Sequence, residues 1–132
     1  PMSRGLGDVY KRQEIKSGLR DSLSLGNVNI HRDWGWAPEY VKAMYLMLES
    51  STADDYIISS GSSNSLKKFV NLAFEYFDLN PDEFIKIDNS FIRPADISYS
   101  AMNPKKILKN LGWKAEKDLD YIVKSMIENK LY

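Results

Sequence analysis

Two helical apolar stripes dominate the pattern of hydrophobic and polar positions along this chain. Pro38 suits the first turn of a helix, and behind it Val41, Met44, Tyr45 and Leu48 fall at i, i+3, i+4 and i+7. Further on, Ser65 stands as an N-cap before Leu66, Phe69, Val70, Ala73, Phe74 and Phe77, a continuous apolar stripe that Asn80-Pro81 breaks. Pro104 opens a short helix over Lys105 to Asn110, and Gly112 closes it at the C′ position. A last helix, from about Asp118 to Lys130, places Leu119, Ile122, Val123, Met126 and Ile127 on one side. Upstream, Glu14 to Leu19 reads as the end of a helix.

The strand-like runs are shorter. Leu23 to Leu25 precedes the turn signal Gly26-Asn27, and Asn29 to Trp34 reads as extended. Asp55 to Ser59, with Tyr56-Ile57-Ile58 at its centre, reads as a short buried strand ended by Gly61. Phe84 to Ile87 alternates as a strand does, and Phe91 to Tyr99 is extended around Arg93-Pro94. About five helices and four short strands without a repeat predict a mixed α/β piece with too few strands for a sheet of its own.

Pro1 to Gln13 does not fit this pattern. It has Gly5, Gly7 and no hydrophobic period, and Asp8-Val9-Tyr10-Lys11-Arg12-Gln13 resembles translated adapter sequence. Residues 1–13 are therefore set aside as a non-native or disordered terminus, and 14–132 are taken as one domain. With 132 residues, 43% of them apolar and 27% charged, the chain reads as soluble and globular. Lys plus Arg equals Asp plus Glu at 18 each, which argues against a general nucleic-acid binder, though a local basic pocket is compatible with it. There is no cysteine, and His31 is the single histidine, so no metal site is expected. No apolar run approaches the roughly 18 residues of a membrane span, and no secretory signal stands at the amino terminus. A cytoplasmic location is the expectation.

Candidate chemistry rests on few residues. No Gly-x-Gly-x-x-Gly follows a strand and no Tyr-x-x-x-Lys pair is present, so nothing here cradles a dinucleotide pyrophosphate. Arg32, between a turn and a helix, offers a rigid fork of donors suited to phosphate oxygens; the plainer reading is a surface arginine lying on Trp34. Arg93 is held out of the helical region by Pro94, on a stiffened segment. Asp96 is placed to accept from sugar hydroxyls or to pair locally with Arg93. Trp113 reads as core packing, Trp36 is open, and His31 reads as structural. Lys67-Lys68 and Lys105-Lys106 read as solvated faces.

Together these pieces carry a family resemblance. Leu25-Gly26-Asn27, Arg32-Asp33-Trp34-Gly35 and Tyr40-Val41-x-Ala43-Met44-x-x-Met47-Leu48 resemble the corresponding run of GDP-mannose 4,6-dehydratases. Arg93-Pro94-Ala95-Asp96-Ile97 resembles that family's Arg-Pro-x-Glu-Val. Asn103-Pro104-Lys105-Lys106 through Leu111-Gly112-Trp113-Lys114 resembles the Leu-Gly-Trp close of extended short-chain dehydrogenases. The likeness runs from Glu14 to Tyr132.

The resemblance implies the substrate-binding, carboxyl-terminal part of such a fold, with the Rossmann half mostly absent. It implies NADP bound upstream of this chain, GDP-mannose as substrate, and a homo-oligomeric whole enzyme. It places Arg32 and Arg93 on the diphosphate, Asp96 at the ribose in place of a longer Glu, and Leu25, Gly26 and Asn27 beside the guanosine. It assigns no catalytic residue to this chain. A GDP-sugar reductase, an epimerase on another nucleotide sugar, and a non-enzymatic α/β interaction domain are the alternatives.

Overall fold

The computed structural model describes Gly18 and residues 21–129. The residues set aside at 1–13 and, Gly18 apart, the helix end expected at 14–19 lie outside the described residues. Those described form β1 (Leu23–Leu25), β2 (His31–Asp33), α1 (Ala37–Glu49), β3 (Ser63–Ser65) and α2 (Leu66–Tyr76). The chain continues through α3 (Pro81–Phe84), β4 (Ile85–Ile87), a 3-10 turn at Asn89–Phe91, α4 (Lys105–Leu111) and α5 (Leu119–Ile127). The strands make two separate two-stranded sheets. β1 and β4 run parallel with Leu25 opposite Ile87, and β2 and β3 run antiparallel with Arg32 opposite Asn64.

α2 lies at the centre of the packing. Ser65 Oγ accepts from the Lys68 amide at 3.1 Å, as its N-cap position predicts. The exposed-end amides of Leu66 and Lys67 donate to Ile30 O at 2.9 Å and Val28 O at 2.8 Å, so the connection between β1 and β2 seats the start of the helix. The stripe then divides. Phe69 and Ala73 pack against Leu119, Val123 and Ile127 of α5, while Val70 and Phe74 pack against Leu23 and Leu25 of β1. The helix ends before the expected break, because Asp78 adopts a left-handed φ of 56° and Leu79 N–H returns to Phe74 O at 3.0 Å. Asn80-Pro81 instead begins α3, with the Asn80 side chain capping the Asp82 amide.

A smaller cluster joins Ala43 of α1, Ile107 of α4 and Trp113. Trp113 is core, as expected, and Gly112 closes α4 with a left-handed φ of 67°. Three expectations change. The stripe of α1 faces outward, with Val41, Met44, Tyr45 and Leu48 all exposed and Ala43 buried. The segment 55–59 has no ladder partner among the described residues; Ile57 is exposed and the buried Ser59 hydroxyl is unpartnered. Alternating apolar residues favour extended backbone, but a strand also needs an edge to bond to. Finally, the run from Phe91 to Tyr99 is interrupted by a turn at Pro94-Ala95, and Tyr99 alone bridges back, to His31. None of the described helices is long and apolar enough to cross a membrane.

Candidate functional site

After β1 the chain turns at Gly26-Asn27 against the segment that follows β4. Asp88 N–H donates to Leu25 O at 2.8 Å, which ties the two segments together. The Asp88 carboxylate then accepts the Ser90 amide at 2.9 Å and the Ser90 hydroxyl at 2.6 Å, fixing the 3-10 turn. Those two bonds hold the Asp88 carboxyl below the usual carboxylate range. The turn lies close against Gly26, where a Cβ would stand 2.9 Å from Phe91 O, so only glycine fits without moving backbone.

Beyond this contact Pro94-Ala95 turns the chain, and the Asp96 amide donates to Arg93 O at 3.1 Å. The result is a cleft of ≈ 510 Å³ whose wall includes Leu25, Gly26, Asn27, Arg93 and Asp96. Of the six residues that the resemblance places at the nucleotide sugar, Arg32 alone is not in this wall. Arg32 stands behind Asp96: its Nη2 donates to Asp96 Oδ1 at 3.2 Å and its Nη1 to His31 O at 2.7 Å. Both side chains of the pair are partly buried. The local Arg93–Asp96 pairing is thus a backbone contact, because the turn gives the Asp96 carboxylate to β2 instead.

The rest of the Arg32-Asp33-Trp34-Gly35 run builds the scaffold. The Asp33 carboxylate accepts the amides of Ser60 at 3.0 Å and Gly61 at 2.9 Å. Trp34 packs on Phe69 with ring centroids 5.4 Å apart. Gly35 leaves room for the Tyr40 ring, which a Cβ there would overlap. Burial, and then the negative charge of Asp33, pushes the Tyr40 phenol up to about 12. His31 is bridged by backbone to the segment around Tyr99, whose ring lies 5.3 Å from its own, in keeping with a structural role. Trp36, left open by the sequence, is buried edge-on against Tyr121. Lys67, Lys68, Lys105 and Lys106 are exposed, and Lys106 pairs with Asp54 at 2.6 Å.

Sequence reasoning missed Ser90, Phe91 and Ile92 as part of the cleft wall. The Asp88-Asn89-Ser90 turn pattern directly before Arg93-Pro94 was the available signal. Among the described residues no group of three His, Cys, Asp or Glu is placed to hold a metal. The cleft presents an exposed guanidinium, one carboxylate and an apolar side, a lining chemically suited to an anionic ligand with a flat or apolar end.

Comparison with known proteins agrees with this reading of the sequence. A family profile described as GDP-mannose 4,6 dehydratase matches residues 9–126. The chain is 37% identical over 117 residues to GDP-mannose 4,6 dehydratase 1 of Arabidopsis thaliana, covering 89% of this chain and 32% of that protein. It superposes on RMD from Pseudomonas aeruginosa, complexed with NADPH, with a TM-score of 0.84 at 17% identity over 95% of this chain and 41% of that one. For dTDP-glucose 4,6-dehydratase from Bacillus anthracis, in complex with NAD, the TM-score is 0.81 at 14% identity over 97% and 39%. The chain spans about a third of the length of the curated relatives it matches. Its helices and short strands are a part of the extended short-chain dehydrogenase fold. By sequence, the chain belongs to the GDP-mannose 4,6-dehydratase family.

Proposed function

We propose that this chain is the nucleotide-sugar-binding part of an enzyme that converts GDP-mannose to GDP-4-dehydro-6-deoxy-D-mannose. One observation carries the reading: Leu25, Gly26, Asn27, Arg93 and Asp96 converge on one cleft, and Arg32 joins it through Asp96. Arg93 grips the diphosphate from a turn that Pro94 stiffens, so little entropy is lost on binding. Arg32 supports it from β2 and at the same time orients Asp96. Asp96 keeps its second carboxylate oxygen for ribose hydroxyls, reaching less far than the Glu of the family. Leu25, Gly26 and Asn27 lie along the guanosine.

The family's reaction oxidises C4, loses water across C5 and C6 and returns hydride to C6, for which NADP supplies the redox chemistry. Among the described residues, Gly18, Gly26, Gly35, Gly61 and Gly112 form no glycine-rich turn between a strand and a helix that would cradle that cofactor. No hydride or proton transfer is assigned to its side chains. Its role is to hold the nucleotide end while residues outside this chain act on the sugar. The chain alone is then a binder without turnover. The whole enzyme is read as a cytoplasmic homo-oligomer in which the outward face of α1 is covered.

Isothermal titration of the chain with GDP-mannose tests this. Arg93→Ala and Arg32→Ala should each weaken binding about tenfold or more, as loss of a charge-assisted contact implies. Preference for UDP-glucose or dTDP-glucose would move the function to a related epimerase or reductase. Failure to bind any nucleotide sugar would favour an interaction domain.

A further inference from the structure

We infer that Phe91 is a base-stacking residue: the nucleobase of the bound nucleoside diphosphate lies on its ring, with the Asn27 amide at the base's edge. The inference rests on the cleft being a nucleotide site, as proposed above. An exposed phenylalanine alone would mean little, because single apolar side chains are common on surfaces. Phe91 differs in how it is held. It is 57% exposed, yet it lines the cleft, and its backbone is pinned by the Asp88-capped turn on one side and by Gly26 on the other. A ring carried on so fixed a backbone loses little freedom when a ligand covers it.

Its neighbours supply the rest of a nucleotide's chemistry. Arg93 follows two residues later, and two residues of extended chain reach about 7 Å. That is the scale of the ribose between base and diphosphate. Opposite, Asn27 Oδ1 accepts the Asn29 amide at 2.9 Å. This bond fixes which end of the side-chain amide is oxygen and leaves the Nδ2 donors for a ligand in the cleft that Asn27 lines. Donors at that edge suit a base that presents acceptors, as the O6 and N7 edge of guanine does, better than the amino group of adenine.

The test uses the full chain, GDP, ADP and inorganic pyrophosphate as probes, and NMR with titration calorimetry as readouts. Binding should move the guanine H8 and ribose H1′ resonances of GDP upfield through the ring current of Phe91. Phe91→Leu should abolish that shift and weaken GDP about tenfold. Pyrophosphate affinity should stay unchanged, which also shows that the variant is folded. Phe91→Tyr should keep both the shift and the affinity. Asn27→Asp retains the acceptor for Asn29 while replacing the donors, so the preference for GDP over ADP should fall roughly tenfold.

If Phe91→Leu binds GDP with unaltered shifts and affinity, stacking is overturned and Phe91 only packs. An unchanged GDP-to-ADP ratio in Asn27→Asp removes Asn27 from the base's edge. A chain that binds no GDP at all overturns both readings.

Discussion

In α2 the residues at helical spacing, Phe69, Val70, Ala73 and Phe74, are buried, whereas in α1 Val41 is 62% and Leu48 85% exposed. The two stripes look alike in sequence. α2 is sandwiched, with α5 on one flank and β1 on the other, so both halves of its stripe meet apolar partners. α1 is attached by a different side. Ala43 fits against Ile107 and Trp113, with Tyr40 and Leu46 packed beside them, and polar anchors add to this. The Trp113 indole donates to Glu39 O at 3.0 Å, and the Glu39 carboxylate accepts the amides of Glu116 at 2.8 Å and Lys117 at 3.2 Å. Tyr40 lies over Gly35 beside Asp33. An apolar period thus marks a helix and its greasy face, but what covers that face depends on which partners the chain brings to it.

The largest expected effect falls on the sandwiched helix. Phe74 has no exposed surface, and Phe74→Ala should destabilise the chain by about 3–5 kcal/mol in urea unfolding, through lost transfer energy and a residual cavity. A loss below about 1 kcal/mol would mean that α2 is not the core it looks like. Next comes the polar anchoring of α1: Glu39→Ala removes two charge-assisted bonds, one exposed and one part-buried, and should cost about 1–2 kcal/mol. Ser65→Ala removes the cap of α2 and should cost about 1 kcal/mol.

A smaller effect is confined to alkali. The folded chain holds the Tyr40 proton up to about 12 against an ordinary value of 10.0. That contribution is whole below about pH 10 and fades as pH rises towards 12, so stability should fall over this window. In Tyr40→Phe the alkaline slope should be shallower, which unfolding curves at pH 9, 10 and 11 would reveal. The smallest effect belongs to the outward stripe: Leu48→Ser should alter stability by less than about 0.5 kcal/mol. Sedimentation should show less self-association in that variant if the face seeks a cover.

The site divides in a similar way. The stiffened backbone at Arg93 and the turn at Gly26-Asn27 were legible because their chemistry is local, Pro94 restricting Arg93 and Gly-Asn turning the chain, while their place at one site was only implied by the family resemblance. The pairing of Asp96 with Arg32 was not legible, since those residues lie far apart in the chain and meet only because a turn brings the segment beyond Pro94 onto β2. Phe91 escaped for the same reason; its place in the wall depends on Gly26 from another element.

The sequence by itself determined the four longer helices, the Ser65 cap and the Gly112 stop, which follow from short-range spacing or local backbone preference, while the family came from the resemblance of its motifs. Only the tertiary structure decided which apolar stripe is core, why 55–59 forms no ladder among the described residues, and that Arg32 pairs with Asp96. Each of these depends on a partner supplied from elsewhere in the chain, and a periodic pattern carries no information about what stands opposite it.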